Sequence, residues 1–488
     1  MIKTAVMVIL ALLLPSSASG RAEYRDEPIY ASLAVPIFFE TEIPRDIALV
    51  NNAVDEITKR EIGAKVQLIP LLHPYSAQDP LSSAELEMLK IQGITFDVYP
   101  SVLPGVEPLA LDELMDVYGR ETLAIVGDFR LSYYRAEGKL YRIPAVNDDV
   151  ASVGVAMRRD VAERYGVDVS AIHTLEDLDA LFARIQPNEP DLYMISPFAT
   201  RYGILSRYKS LLTLPSSFMS VSEDDPTLLV NIYEMDAYRE AVRMIRRWHE
   251  AGYLPKTMSV QNIRATQLVK SGELFAYFCS YKPGIDSAAS KSCGYEMVTA
   301  SMIEPTITRQ SLEAAWWSVS AECANPGKAA QLLNLMYTNE ELVNLLVNGV
   351  ENVHYVALDD GTIDYPPGMD AEEGGYGNTL GSLLPNQALS RVWRGDDPNL
   401  WDTMRARNAS APVSETLYFS FSAEPVLDEF NRVNHVVSEY AYGLETGQLD
   451  PEIYLPQMLA KMAQAGCEQV LAEAQRQFSA FFDRGNEG

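Results

Sequence analysis

Five histidines and four cysteines are the residues of this 488-residue chain best suited to acid–base, nucleophilic or metal chemistry. The histidines, His73, His173, His249, His354 and His435, are scattered, and the cysteines, Cys279, Cys293, Cys323 and Cys467, form no CxxC pair. Without paired Cys/His spacing no metal site is expected, and no other cofactor is implied. No GxSxG elbow, HExxH pair or GxxxxGK[ST] loop occurs, so the common serine-hydrolase, zincin and P-loop signatures are missing. A glycoside hydrolase needs two carboxyls at defined separation. Among 67 Asp and Glu such pairs arise by chance, and spacing nominates none. His354 stands in Gly349-Val350-Glu351-Asn352-Val353-His354-Tyr355 after a helix stop, where a turn could face a cleft; a hydrogen-bonded structural histidine is the simpler expectation.

Aromatic side chains are the more informative class: 26 Tyr, 15 Phe and 5 Trp. Several fall where strands end or loops begin: Phe38-Phe39, Tyr99, Tyr133-Tyr134, Phe198, Tyr202, Tyr281, Trp316-Trp317, Tyr376, Trp393 and Trp401. A flat ring beside polar groups suits a sugar, whose C–H face is apolar while its hydroxyls need hydrogen-bond partners. Neighbours on a strand point to opposite faces, so one of Trp316 and Trp317 is expected to pack inside while the other reaches outward. Phe39, Tyr99 and Trp316 or Trp317 are the expected stacking platforms, with Glu351, Asn386 and Trp393 as further polar or stacking contacts.

The elements that must position these residues alternate between strand and helix. Ile29 to Phe39 is an apolar run fit for a buried strand. Ile47, Val50, Val54 and Ile57 follow at helical spacing, with Gly63 as the stop. Lys65–Leu71 predicts a second strand, Ala84–Ile91 a second helix and Phe96–Tyr99 a third strand, a series that implies a parallel sheet covered by helices. A second α/β set starts at Val153–Met157, and Thr174-Leu175-Glu176-Asp177 caps the helix that carries Leu178, Leu181, Phe182 and Ile185. Further on come strands at Leu274–Phe278 and Ala314–Val319, then a helix opened by Asn325-Pro326. Thr338-Asn339-Glu340-Glu341 reads as a capping box for the next helix, closed by Asn348-Gly349. Residues 359–381 read as a long surface loop. Two helices end the chain, the second running from Asp450-Pro451 to about Phe482.

Composition bounds the partners. With 39 Lys+Arg against 67 Asp+Glu the formal charge is −28, which disfavours nucleic acid and anionic membrane surfaces. Lys3, the apolar run Ala5–Leu14 and the small-residue stretch Pro15–Gly20 read as an export signal over residues 1–20, too short to span a bilayer. Its removal takes one lysine and leaves 38 − 67 = −29. The rest is expected to work outside the cytoplasm without inserting in the membrane. In an oxidising compartment, a disulfide between Cys279 and Cys293 is compatible with their spacing.

Several segments together resemble one family. Asn386-Gln387, Val392-Trp393-Arg394-Gly395-Asp396-Asp397-Pro398-Asn399-Leu400-Trp401, Phe419-Ser420-Phe421-Ser422-Ala423-Glu424-Pro425 and Asp450-Pro451-Glu452-Ile453-Tyr454-Leu455-Pro456 are similar to extracellular solute-binding proteins of ABC importers. The likeness is to the lipoprotein A (LipO-like) branch, with its C-terminal domain of unknown function. Gly138-Lys139-Leu140-Tyr141-Arg142-Ile143-Pro144 resembles the family's lobe-crossing segment. The resemblance implies an α/β, two-lobed periplasmic-binding-protein type II fold with C-terminal helices. It also implies that a small-molecule ligand, a saccharide and more narrowly an oligosaccharide, is held between the lobes and passed to the transmembrane subunits of an ABC permease, with no catalysis. A secreted glycoside hydrolase and a peptide-binding receptor are the alternatives. Expected boundaries are residues 21–145 plus 305–358 for the first lobe, and 146–304 plus 359–488 for the second, with crossings near 144–150, 302–312 and 355–365. The branch is usually lipid-anchored through a cysteine after its signal, but none precedes Cys279, and Pro385 stands where the family has glycine.

Overall fold

The computed structural model describes residues 30–39, 42–72, 81–196, 218–222, 224–255, 265–370, 373–376 and 381–485. The export segment, His73, Phe198 and Tyr202 lie outside them. The chain forms two compact units, residues 1–147 with 312–401, and residues 148–311 with 402–488.

The first unit opens with β1 (Ala31–Phe39), α1 (Ile47–Ile62) and β2 (Ala64–Leu72). Strand β1 is buried along its second half, and β2 alternates buried with exposed over Ala64, Lys65, Val66, Gln67 and Leu68, as one covered face requires. The two pair in parallel from Ala31 opposite Ala64 to Phe39 opposite Leu72. Helix α1 stops at Gly63, whose φ of 60° is left-handed and lets the chain turn directly into β2. Then follow α2 (Ser83–Ile91), held by a reciprocal Ser82–Glu85 capping box, β3 (Val98–Pro100) and, after three short helices, β4 (Ile143–Pro144).

The second unit is built around β5 (Val153–Arg158), α3 (Leu175–Ile185), β6 (Tyr193–Ile195), α4 (Asp236–Glu250), β7 (Leu274–Ser280), α5 (Ile285–Cys293) and β8 (Met297–Ser301). Its sheet runs β8-β5-β7-β6, with β7 parallel to β6 while β5 is antiparallel to both β7 and β8. The Thr174–Asp177 capping box of α3 forms as the residue types require.

Back in the first unit, β9 (Trp316–Val319) sits between β3 and β4, antiparallel to both. The architecture is therefore mixed, not wholly parallel. Helices α6 (Pro326–Thr338) and α7 (Glu340–Asn348) follow. The cap of α7 is Asn339, whose side chain accepts from the Leu342 N–H, whereas the Thr338 hydroxyl bonds back to the Asn334 carbonyl and closes α6. Residues 359–401, expected with the second lobe, pack into the first unit instead, and the third crossing falls at 401–402. The reason is specific pairing: Ile363 bridges Trp393, Asn386 bridges Val146, and Leu383 and Leu384 enter the core.

The chain ends in the second unit with α8 (Leu400–Ser410, whose first turn straddles the crossing), α9 (Leu427–Glu445), α10 (Pro451–Ala465) and α11 (Cys467–Gly485). The last two were expected as one helix. Gly466, at φ 101°, breaks them, and a β-carbon there would lie 2.6 Å from Glu429 Cγ. These helices share a core with residues 218–242, including Phe218, Tyr233, Tyr238, Val433, Tyr440 and Phe478. All four cysteines are free, Cys279 and Cys293 among them. Burial pushes the Cys279 thiol up to about 12, so it behaves as a small apolar side chain. Among the described residues no helix is long and apolar enough to cross a membrane, and no group of His, Cys, Asp and Glu could hold a metal ion.

Candidate functional site

Most of the rings expected to stack on a sugar belong to the core of the first unit. Trp317 is fully buried and its indole N–H donates to the Leu383 carbonyl at 2.6 Å. Tyr99 is fully buried too, its hydroxyl donating to the Val106 carbonyl at 2.8 Å, and burial pushes its pKa up to about 12. Phe39 closes β1 edge-on to Tyr376 at 6.4 Å between ring centres, and is 6% exposed. Asn386 is buried as a connector: its amide donates to the Tyr337 carbonyl at 2.8 Å and its oxygen accepts from the Ala388 N–H. In all four the side chain is covered by the packing of the first unit itself. The physical reason for the tryptophans is that β9 is the central strand of three and is buried on both faces, so the neighbours-to-opposite-faces rule exposes neither ring.

Trp316 is different in kind. Its ring is 6% exposed, edge-on to Tyr99 at 6.2 Å, and its face is taken by the Arg142 guanidinium at 4.4 Å from the ring centre. Arg142 is half-buried and has no hydrogen bond or ion pair among the described residues. A guanidinium held flat on an indole keeps its five N–H donors in a fixed plane. Close by, the Ser101 backbone donates to the Trp316 carbonyl, while the buried Ser101 hydroxyl has no partner among the described residues. The end of β3 and the lead into β4 thus both meet the first residue of β9, Ser101 at its carbonyl and Arg142 over its ring. Sequence reasoning quoted Arg142 within Gly138–Pro144 but assigned it no contact. An arginine two residues before the proline that ends β4, facing the first tryptophan of the neighbouring strand, is a signal that only strand pairing reveals.

Glu351 and Trp393 lie elsewhere in the same unit, around the carboxyl end of α7. Asn344 organises this region: its amide donates to the Glu340 and Leu389 carbonyls, and its oxygen accepts from the Arg391 N–H at 2.8 Å. Trp393 donates from its indole to Asn348 at 3.2 Å and lies tilted on Tyr365, ring centres 4.6 Å apart. A groove of about 710 Å³ between α1 and α7 is lined by Arg60, Glu341, Asn344, Glu351, Tyr355 and Arg391, among others. Arg391 is held loosely there, 3.4 Å from Glu351 and 3.8 Å from Glu340. Tyr355 is 4% exposed, and burial raises its pKa.

His354 is structural. It is 1% exposed, and its Nδ1 accepts from the Val350 N–H at 2.8 Å, which places the proton on Nε2. Nε2 is 3.5 Å from Asp46 Oδ2, too far for a full hydrogen bond. Burial lowers its pKa, against the pull of Asp46. Gly349, at φ 83°, is obligatory beside it: a β-carbon would come within 2.4 Å of Nδ1.

Comparison with known proteins fits this architecture. Residues 415–483 match the family described as a domain of unknown function, DUF3502. A carbohydrate ABC transporter substrate-binding protein of Streptococcus pneumoniae serotype 4 is 24% identical over 381 residues, covering 76% of this chain and 75% of that protein. The crystal structure of the N-glycan transport solute-binding protein NgtS from Streptococcus pneumoniae superposes with a TM-score of 0.78 at 19% identity, over 93% of this chain and 99% of that one. NgtS in complex with Man5GlcNAc gives 0.68 at 19% identity, with the same coverage. The fold is thus the α/β fold of solute-binding proteins, with the DUF3502 domain supplying helices α9 to α11.

Proposed function

We propose that this protein is the solute-binding receptor of an ABC importer, that it takes up a saccharide, more narrowly an oligosaccharide, outside the cytoplasm, and that it hands the sugar unaltered to a membrane permease. The observation that carries the reading is the alignment over three quarters of the chain with a carbohydrate ABC transporter substrate-binding protein. The glycan complexes of NgtS, which shares the fold, support an oligosaccharide. The geometry of the first unit suits such a ligand. Arg142, stacked on Trp316 with its donors uncommitted, offers parallel N–H groups to vicinal hydroxyls. Binding of this kind needs no covalent step; affinity comes from hydrogen bonds made in place of water and from apolar contact.

Calorimetric titration and thermal melting with Man1GlcNAc, Man5GlcNAc and a panel of unrelated oligosaccharides test it, with product analysis of the same mixtures. A receptor gains about 2.7 kcal/mol of stability at a ligand concentration of 100 times Kd. Arg142→Met keeps an apolar cover over Trp316 but removes the donors, and is expected to weaken binding about tenfold with little change in melting. Glycan cleavage, or a melting temperature indifferent to every saccharide, refutes the reading.

A further inference from the structure

In α/β sheets, ligands gather at the carboxyl ends of strands. In the second unit the strand flanked by both β5 and β6 is β7, and the residue directly after it is Tyr281. Its surroundings are unusual for a loop aromatic, because the backbone is fixed on every side. The Tyr281 N–H donates to the Ser152 carbonyl at 3.2 Å. Its own carbonyl accepts from Arg407 at 2.9 Å. Gly154 packs against it so closely that a β-carbon there would stand 3.1 Å from Tyr281 Cβ and 2.7 Å from the Ala300 carbonyl oxygen. The ring itself is only half-buried, and its hydroxyl has no hydrogen-bond partner among the described residues.

Arg407 explains how the ring is held. Its guanidinium is 5.9 Å from the ring centre and makes a two-oxygen ion pair with Asp148, at 2.9 and 3.1 Å. The two charged side chains are 12% and 11% exposed. Burial raises the Asp148 pKa, while Arg407 first and then Lys282 oppose that shift. A nearly buried ion pair contributes little net stability, since desolvation offsets the attraction. What it provides is geometry: a fixed cation bonded to the Tyr281 carbonyl and set beside its ring.

We infer that Tyr281 is the saccharide-stacking ring of the second unit, its free hydroxyl donating to or accepting from a sugar hydroxyl, and that Arg407, held by Asp148, is the residue that positions it. The inference rests on the receptor reading above and extends it to the second unit, where none of the expected contacts falls. Tyr281→Ala is expected to weaken Man5GlcNAc binding about tenfold or more, the loss typical of truncating a binding anchor, while the urea midpoint stays unchanged. Tyr281→Phe keeps the ring and is expected to lose less. Tyr281→Trp places a reporter there, and its emission on addition of the same glycan should shift beyond the change shown by the unaltered chain with its own five tryptophans. Arg407→Lys retains the charge but not the two-oxygen pairing; it should weaken binding and reduce the emission shift of the Tyr281→Trp protein, an effect that a purely structural arginine would not have. Unaltered binding by Tyr281→Ala, or no emission shift in a Tyr281→Trp protein that still binds, overturns this inference alone. If the unaltered chain binds no saccharide of the panel, the receptor reading fails and takes this inference with it.

Discussion

Replacing Trp317 by alanine separates a core role from a ligand-contact role. The indole is fully buried on the central strand β9, and its N–H donates to the Leu383 carbonyl at 2.6 Å. Burial of about 150–250 Å² of aromatic surface at ~25 cal/mol/Å² corresponds to roughly 4–6 kcal/mol. Measured truncations of buried Phe and Trp cost about 3–5 kcal/mol. The orphaned Leu383 carbonyl adds about 1 kcal/mol or more. Taken together, Trp317→Ala should lose about 4–6 kcal/mol. At ~2–4 °C per kcal/mol for a unit of this size, its melting temperature should fall by roughly 8–24 °C. Trp317→Phe keeps most of the packing and removes the donor, so it should lose about 1–3 kcal/mol. Differential scanning calorimetry and urea titration of both variants supply the numbers. A Trp317→Ala protein that melts within about 2 °C of the parent but has lost its sugar would refute the reasoning and restore Trp317 as a contact.

Two further outcomes follow from local geometry. His354 has a lowered pKa in the folded state, so folding favours its neutral form. The unfolded chain then binds more protons just below the ordinary histidine value of ~6.5, and the stability this group provides is present above that pH and lost as pH falls through the folded value. The groups facing it are Asp46 and Arg45, so melting temperature against pH between about 7.5 and 5 should decline in the parent and flatten in His354→Gln. Identical slopes would assign the decline to other groups. Gly466→Ala places a β-carbon 2.6 Å from Glu429 Cγ at φ 101°, and should cost about 1–3 kcal/mol in thermal melting; a neutral result would show that α10 and α11 can shift to accept it.

The elements were largely legible because their signals are local. The Val50, Val54 and Ile57 spacing with Gly63 gave α1, and Thr174 with Asp177 gave the start of α3. What failed depends on partners distant in the chain. Whether Trp316 and Trp317 face outward depends on β3 and β4 flanking β9, which no local pattern encodes. The placement of residues 359–401 depended on Asn386 pairing with Val146 and on Leu383 meeting Trp317, contacts spanning 240 and 66 residues. The break at Gly466 was missed because helical spacing continues on either side of it, in α10 and α11. Arg142 and Tyr281 went unassigned for the same reason: their significance lies in what leaves their donors and hydroxyl uncommitted, and that is a property of the assembled neighbourhood.

The interleaving of the two units along the chain has a bearing on how the protein comes into being. Neither unit is complete in a contiguous stretch, so the first must wait for residue 401 and the second for its last helices. Until α9 to α11 arrive, Phe218, Tyr233 and Tyr238 lack most of the side chains that share their core. Any loss of the tail would therefore leave a sticky apolar wound on the second unit.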